Sequence, residues 1–416
     1  MTSPRISDLT FNYASTLVNG VAGLVLPLLV GAWFGTSSFG VFTLNFSLYI
    51  ILSQLAAFGI HLSVLKYLSE NRENDPSILL GAVLAVVPLA VLTTAALLLL
   101  AKPLASFFNL PEMRAGIEAI GGAIFFFACN KVLLASLNAF MRLKEYAVYT
   151  SLRYLFLITS LSAIYAFGSQ DIPLSIIFLL SEGALFAILL FALRNALLRG
   201  GDRASVFMWA GEHLRFGCKA FGGHILLDAN SRVDILCLGY FVDSSTVGVY
   251  SMAAVLAEGT YQIAIVARTA YTPVVITLLY EKKYEDLLAL VKRLRFLLWM
   301  GMAGIACVSI ALYPVVLPFI TGETVYADGV SWFVPLMVGV TIASGYAPVS
   351  LILAGGGFPG RQSLMVVMLF SANAMGNLVL IPALGPMGAA VGTAATYCLS
   401  VVLLRYYALR CLNLKL

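Results

Sequence analysis

Charge is what this sequence has least of. Of its 416 residues 11% are charged, 25 Lys+Arg against 20 Asp+Glu, while 61% are hydrophobic; an ordinary soluble domain carries roughly 25% charge. A chain so poor in charge is unsuited to a water-facing surface. Histidine is scarce, with His61, His213 and His224 the full set, and the cysteines Cys129, Cys218, Cys237, Cys307, Cys398 and Cys411 stand apart with no paired spacing. Neither a metal site nor a disulfide framework is expected, and no cofactor. The motif G-x-x-x-x-G-K-[ST] does not occur, which excludes a nucleotide-hydrolysing loop on this chain, so coupling to an ion gradient or to voltage is expected. Long polar segments are missing too. No loop between apolar runs exceeds about 20 residues, which leaves no room for an extramembrane catalytic domain; the chain is read as a non-enzyme.

What is present is a series of about twelve apolar runs. Each is long enough to cross a hydrocarbon layer of about 30 Å as a helix, which takes ~20 residues. The runs lack the period-two alternation of barrel strands, and a spanning backbone must bond internally, so helices are the form left. Spans are expected at 9–32, 40–65, 78–101, 117–140, 146–167, 173–194, 216–240, 247–279, 296–320, 331–354, 363–382 and 387–408. The first is long and no small-residue cleavage site follows it; a retained helix is expected, not a signal peptide.

Lys and Arg mark the cytoplasmic loops. With the N-terminus inside, nineteen fall on inner segments, among them Arg142, Lys144, Arg153 and the run Lys282 to Arg295. Two, Lys102 and Arg114, fall outside, and four (Lys131, Lys219, Arg232 and Arg268) lie in or at the edge of spans. The expectation is an all-α polytopic membrane protein of twelve transmembrane helices with both termini cytoplasmic. Its net charge of +5 then reflects seating on the inner leaflet among membrane lipids, and no nucleic-acid partner is expected.

The chain repeats itself. The turn after the first span reads Phe34-Gly35-Thr36-Ser37-Ser38-Phe39-Gly40-Val41-Phe42, and the turn after the seventh reads Phe241-Val242-Asp243-Ser244-Ser245-Thr246-Val247-Gly248-Val249-Tyr250. One inserted residue aligns them. An even number of spans separates the copies, so both halves enter the membrane from the same side. Two pseudo-symmetric six-helix lobes are expected, residues 1–200 and 201–416, as in a rocking transporter.

A charge inside a bilayer costs ~2.5–3.5 kcal/mol on insertion scales, so such groups usually face the bundle interior or a wet cavity. In the seventh span His224, Asp228 and Arg232 fall at i, i+4 and i+8, one stripe on which Asp228 and Arg232 can pair, with Asp234 on another face. The eighth carries Glu258 and Gln262 on one face with Tyr261 and Arg268 nearby; Glu258 is the leading coupling-ion candidate, or else a partner for Arg232 or Arg268. Glu182 in the sixth span is a lonelier case. Lys131 and Asn138 share a face of the fourth span, while Lys219 sits where it can snorkel to the interface. Asn12, Thr16 and Asn19 form an uncharged stripe on the first span, as do Asn45, Tyr49 and Ser53 on the second, the kind that bonds helix to helix. Arg232, Arg268, Lys131 and Lys219, with Asn138, Gln262, Asn12 and Asn19, describe a lumen for an anionic, hydroxyl-rich cargo such as a pyrophosphate joined to sugars. Glu258, Asp228, Asp234, Glu182 and His224 are the coupling-ion or gating candidates.

Three stretches resemble the polysaccharide and O-antigen flippases, the Wzx-like branch of the multidrug/oligosaccharidyl-lipid/polysaccharide (MOP) exporter superfamily. They are Leu26-Pro27 through Phe34-Gly35 to Phe42; Arg232-Val233-Asp234 through Leu238-Gly239-Tyr240-Phe241 to Ser251; and Asn377 to Pro382 followed by Gly385 and Gly388-Ala389-Ala390. The resemblance implies an inner-membrane carrier that moves an undecaprenyl-diphosphate-linked oligosaccharide, such as an O-antigen repeat unit of lipopolysaccharide, to the periplasmic leaflet. It implies alternating access of two lobes, coupling to a proton or sodium gradient or to membrane potential, and a polysaccharide polymerase as a possible partner. One departure stands at the end of the second span. Such proteins often read Gly-Leu-Asp there and this chain has Gly59-Ile60-His61, so no acidic role is expected at that position.

Rival readings are a MOP-fold drug/cation antiporter, a lipid II flippase, a membrane polysaccharide polymerase or ligase, and a channel. An antiporter's interior should be dominated by carboxylates, and here the cations balance or exceed them. Lipid II carriers typically have two further spans, polymerases and ligases look to need a large outer loop, and a channel needs a ring of selectivity groups.

Overall fold

The structure, a computed structural model, describes residues 6–71, 75–168 and 172–416, with side chains throughout save those of 6–10, 12–14, 220, 221, 223 and 224. No strand occurs among the described residues. In chain order the helices are α1 (Ile6–Ala57), α2 (Ile60–Glu70), α3 (Pro76–Phe107), α4 (Met113–Ala139), α5 (Leu143–Ala166), α6 (Ile176–Leu198), α7 (Arg203–Asn230), α8 (Val233–Phe241), α9 (Ser244–Tyr280), α10 (Tyr284–Thr321), α11 (Val330–Ser344), α12 (Ile352–Gly355), α13 (Pro359–Leu384) and α14 (Pro386–Leu412). Bulky apolar side chains stand fully outward, Leu99 81% and Phe319 88% exposed. In water such a surface would aggregate; against acyl chains it is at home. The chain is a multi-pass membrane protein.

Among the described residues ten helices are long and apolar enough to cross a membrane, against twelve expected spans. Two local events account for the difference. The helix α1 runs through both the first and second expected spans and leaves helical geometry inside only at Gly35 (φ 78, ψ 175), a conformation open essentially to glycine alone. The seventh expected span is broken at Ser231 and Arg232 into α7 and the nine-residue α8. The tenth expected span is also interrupted, at Gly345 and Pro348, between α11 and the four-residue α12. Residues 343–349 are buried, as non-helical backbone at membrane depth must be.

The chain divides into two compact units, Met1–Leu26 with Leu44–Asp228, and Pro27–Thr43 with Ala229–Leu416. The first is organised on α4, which is mostly buried along its apolar length, whereas α3 is mostly not. Leu133, Leu134 and Leu137 of α4 interlock there with Leu185, Leu189 and Leu193 of α6. In the second, Val275 of α9, Leu287 and Val291 of α10, Ile352 and Leu353 of α12 and Tyr407 of α14 share one core, into which Leu414 and Leu416 fold back. Lipid is as apolar as leucine, so these contacts hold by close packing and interhelical hydrogen bonds and not by exclusion of water. Gly339 of α11 shows the closeness: a Cβ there would lie 2.8 Å from the Ala394 backbone of α14.

Candidate functional site

The first unit encloses a charged cluster built on α4, α5 and α6. The Arg153 Nε lies 2.8 Å from Glu182 Oε1, and Arg153 Nη2 donates to Glu182 Oε2 at 3.3 Å. Asn130 Nδ2 donates to Glu182 Oε2 at 2.8 Å and the Tyr49 hydroxyl to Oε1 at 3.1 Å. Glu182 thus has a full set of donors and is not the lonely carboxylate the sequence indicates. Arg153 is a correction as well: counted among the inner-loop cations, it lies inside α5 with its side chain 21% exposed. Beside the pair, the guanidinium of Arg153 stands 5.0 Å and the ammonium of Lys131 5.7 Å from the Phe127 ring centroid. Lys131 also donates to Gln54 Oε1, and Asp228 is within its electrostatic reach. The expected inward cation of the fourth span is therefore held in a polar setting, with half-buried Asn138 on the same helix face.

The second unit holds another cluster, created by the break between α7 and α8. Arg232 stands at the start of α8, off the helical stripe that the sequence assigns to it with His224 and Asp228. Its Nη2 donates to Glu258 Oε2 on α9 at 3.1 Å, the two side chains 14% and 31% exposed. This is the pairing of Arg232 with Glu258 that the sequence offered as an alternative to ion coupling. The carbonyl of Asn230, freed by the same break, accepts from Asn373 Nδ2 at 3.0 Å, and Asn377 Nδ2 donates to the Asn373 carbonyl at 2.9 Å. Asp234 is buried and saturated: its carboxylate accepts from the Tyr250 hydroxyl at 2.6 Å, the Ile235 N–H at 2.9 Å and the Thr393 hydroxyl at 3.3 Å. A group so engaged reads as an anchor of α8 on α9 and α14. Along α9, Gln262 is exposed and Arg268 half-buried, Arg268 in line with Tyr261 seven residues before it.

Other expected residues fall elsewhere. Lys219 is exposed, in keeping with snorkelling. Asn19 donates to Ser15 Oγ at 3.4 Å, and Ser15 bonds in turn to the Ala147 carbonyl at 2.8 Å, the helix-to-helix role of an uncharged stripe. The side chains of Asn12 and His224 lie outside the described residues.

The two repeated turns meet each other within the second unit. Thr36 and Ser245 are joined hydroxyl to hydroxyl at 2.7 Å, and so are Ser37 and Ser244. At the spacing that superposes Gly40 on Gly248, Thr36 corresponds to Ser244 and Ser37 to Ser245, so each bond is the image of the other. The copies found by sequence are therefore partners across a local two-fold relation, a contact that the alignment of the turns does not reveal.

A family model described as "Polysaccharide biosynthesis protein" matches residues 7–278. No curated protein sequence matches the chain. Among solved structures, the chain is similar to the lipid II flippase MurJ in an inward closed conformation, with TM-score 0.79 and 13% identity over 96% of this chain and 87% of that one. It is similar also to an inward-facing multidrug resistance MATE family transporter of the MOP superfamily, with TM-score 0.74 and 16% identity over 96% and 95%. A third likeness is to the eukaryotic MATE transporter AtDTX14, with TM-score 0.63 and 16% identity over 97% and 95%. At these identities the likeness is one of fold.

Proposed function

Since this chain belongs to the polysaccharide biosynthesis protein family, and its fold is that of MOP exporters, we propose that it is a flippase for a lipid-linked glycan. Its cargo is an undecaprenyl-diphosphate-linked oligosaccharide, carried from the cytoplasmic to the periplasmic leaflet of the inner membrane by alternating access, with both termini cytoplasmic. It performs transport and no covalent chemistry; a proton or sodium gradient, or the membrane potential, drives the cycle, and a polysaccharide polymerase receives the product.

The observation that carries this reading is the placing of cations at span depth beside polar and aromatic groups. Moving a diphosphate and several sugars through hydrocarbon unaided costs tens of kcal/mol by Born-type reasoning, and a polar interior removes most of that barrier. Arg153 and Arg232 each carry one carboxylate, Glu182 and Glu258, which keeps them charged and ordered in the absence of cargo. Lys131 and Arg268 supply further positive charge, and Asn138 and Gln262 hydrogen-bonding capacity toward sugar hydroxyls. The Arg232–Glu258 pair is the more open of the two and suits exchange: a diphosphate oxygen competes with Glu258 for the guanidinium fork, and the released carboxylate can take a proton or a sodium ion.

Deletion of the gene tests the reading. The strain should accumulate lipid-linked repeat units on the cytoplasmic face of its inner membrane. Loss of a polymerase or ligase would leave them on the outer face, and accumulation there would overturn the proposal.

A further inference from the structure

The outer half of α1 is gripped by an element that the repeat does not include. Between α10 and α11 a short 3-10 turn, Thr324–Gly329, follows Glu323. In such a turn residues three apart fall on one face, and Glu323 and Tyr326 are so related. On α1, Gly31 and Gly35 lie four apart, again on one face. The two faces meet: a Cβ on Gly31 would stand 2.7 Å from the Tyr326 hydroxyl, and a Cβ on Gly35 would stand 2.7 Å from Glu323 Oε1. Glu323 is held for this position. Its N–H donates to Thr321 Oγ1 at 3.3 Å, and Gly322 before it adopts a left-handed conformation (φ 74).

Comparison of the two repeats says what the carboxylate is for. The second copy begins its helix with a cap of its own: Asp243 accepts from the Thr246 N–H at 2.9 Å and the Thr246 hydroxyl at 2.7 Å. At the spacing that superposes Gly40 on Gly248, the residue that corresponds to Asp243 in the first copy is Gly35. An acidic side chain is ruled out at that position by the backbone (φ 78, ψ 175). The first copy therefore carries no acid at that place, and it is the Glu323 carboxylate that stands against the positive dipole end of the helix restarting at Thr36.

We propose that Glu323 is a positioning residue: it supplies from a separate element the negative charge that the first repeat cannot carry, and so holds the turn of α1 at Gly35 against that element. Its consequence for transport rests on the flippase reading above, whereas its effect on the turn does not. Tyr326 against Gly31 sets the depth of the grip and Glu323 against Gly35 its electrostatics.

Hydrogen exchange of the full-length protein in lipid nanodiscs tests this without any transport measurement. The expected result is faster exchange of the peptide covering 34–42 in Glu323→Gln, by about two- to fivefold, the factor a charge at a helix N-terminus is worth, with the peptide covering 243–250 unchanged. Asp243→Asn should not slow or speed the 34–42 peptide. Raising salt from about 0.05 to 1 M should shrink the difference between wild type and Glu323→Gln, since a charge interaction at a wet turn is screened. Glutamine has the size of glutamate, so a space-filling role predicts wild-type exchange in Glu323→Gln, and that result would overturn the proposal. So would equal acceleration of both peptides, or a difference insensitive to salt. Should Glu323→Gln fold poorly, Glu323→Asp and Glu323→Ala give the same reading: Asp keeps the charge, drawn back by one methylene, and should exchange more slowly than Ala, whereas equal acceleration in the two would indicate packing and overturn the proposal. A flippase assay on the same preparations separates the two levels, because absence of flipping in wild type would sink the transport reading and leave the exchange result standing.

Discussion

Gly40 and Gly248 face each other with no room for a methyl group on either. A Cβ on Gly40 would lie 1.8 Å from the Ser244 carbonyl oxygen, and one on Gly248 would lie 2.0 Å from the Thr36 carbonyl oxygen. The obstacles are backbone atoms, which cannot rotate aside as a flexible side chain would.

Gly40→Ala and Gly248→Ala should accordingly be costly to similar degrees, because the contact is its own image. Overpacking of this kind typically costs about 1–3 kcal/mol. Thermal unfolding in nanodiscs should show both variants lowered by comparable amounts. Gly20→Ala and Gly376→Ala, which have open space where the Cβ would go, should be neutral or slightly stabilising, as alanine is the better helix former by about 1 kcal/mol.

The Arg153–Glu182 pair predicts non-additivity. Arg153→Leu leaves a carboxylate only 3% exposed without its cation, and removal of one member of such a pair costs about 3–5 kcal/mol. The double variant Arg153→Leu with Glu182→Leu removes the stranded charge and should be more stable than Arg153→Leu alone. Melting temperatures of wild type, both single variants and the double complete the cycle; equal or greater destabilisation in the double would contradict the assignment.

Asp243 predicts a pH dependence at the second repeated turn. Partial burial pushes its carboxyl upward, but the Thr246 N–H and hydroxyl outweigh it and hold the group below the usual carboxylate value. A lowered folded-state pKa means that the unfolded chain takes up the proton first on acidification. The cap's stabilisation is then complete above about pH 4 and is lost as pH falls through the lowered value. Asp243→Ala should cost about 0.5–2 kcal/mol at neutral pH, and its melting temperature should converge on that of wild type as the buffer is acidified.

Arg232 and Arg268 are expected to act on cargo. Each replaced by alanine should reduce translocation of lipid-linked glycan in inverted vesicles at least tenfold, the factor given by about 1.4 kcal/mol. Lys219→Ala, at an exposed position, should have little effect. Unchanged translocation in both arginine variants would remove them from the route.

The helical membrane class, the repeat and its turns were legible because they depend on local composition and spacing. Three features were not, each for a physical reason. The stripe His224, Asp228, Arg232 presupposes a continuous helix, and the chain breaks at Ser231; the polar Asn230-Ser231 step was the available signal. Glu182 stands without a partner only as long as Arg153 counts as a loop cation, and Arg153 falls within the expected fifth span 146–167. Two lone opposite charges on consecutive spans imply a pair, since neither is tolerable alone in lipid. The grip of Glu323 and Tyr326 on α1 joins segments nearly three hundred residues apart, and no periodicity encodes such a contact.

The proposed alternating access is tested most directly by asking whether the contact of the two repeated turns must open during transport. Ser37 and Ser244, with hydroxyls 2.7 Å apart, are placed so that paired cysteines need only a small adjustment to bond at about 2 Å between sulfurs. The measurement is translocation of an undecaprenyl-diphosphate-linked oligosaccharide by Ser37→Cys/Ser244→Cys protein in proteoliposomes, oxidised and then reduced. The account predicts that the oxidised protein stops and that reduction restores wild-type flipping; flipping at the wild-type rate with the cross-link fully formed would contradict it.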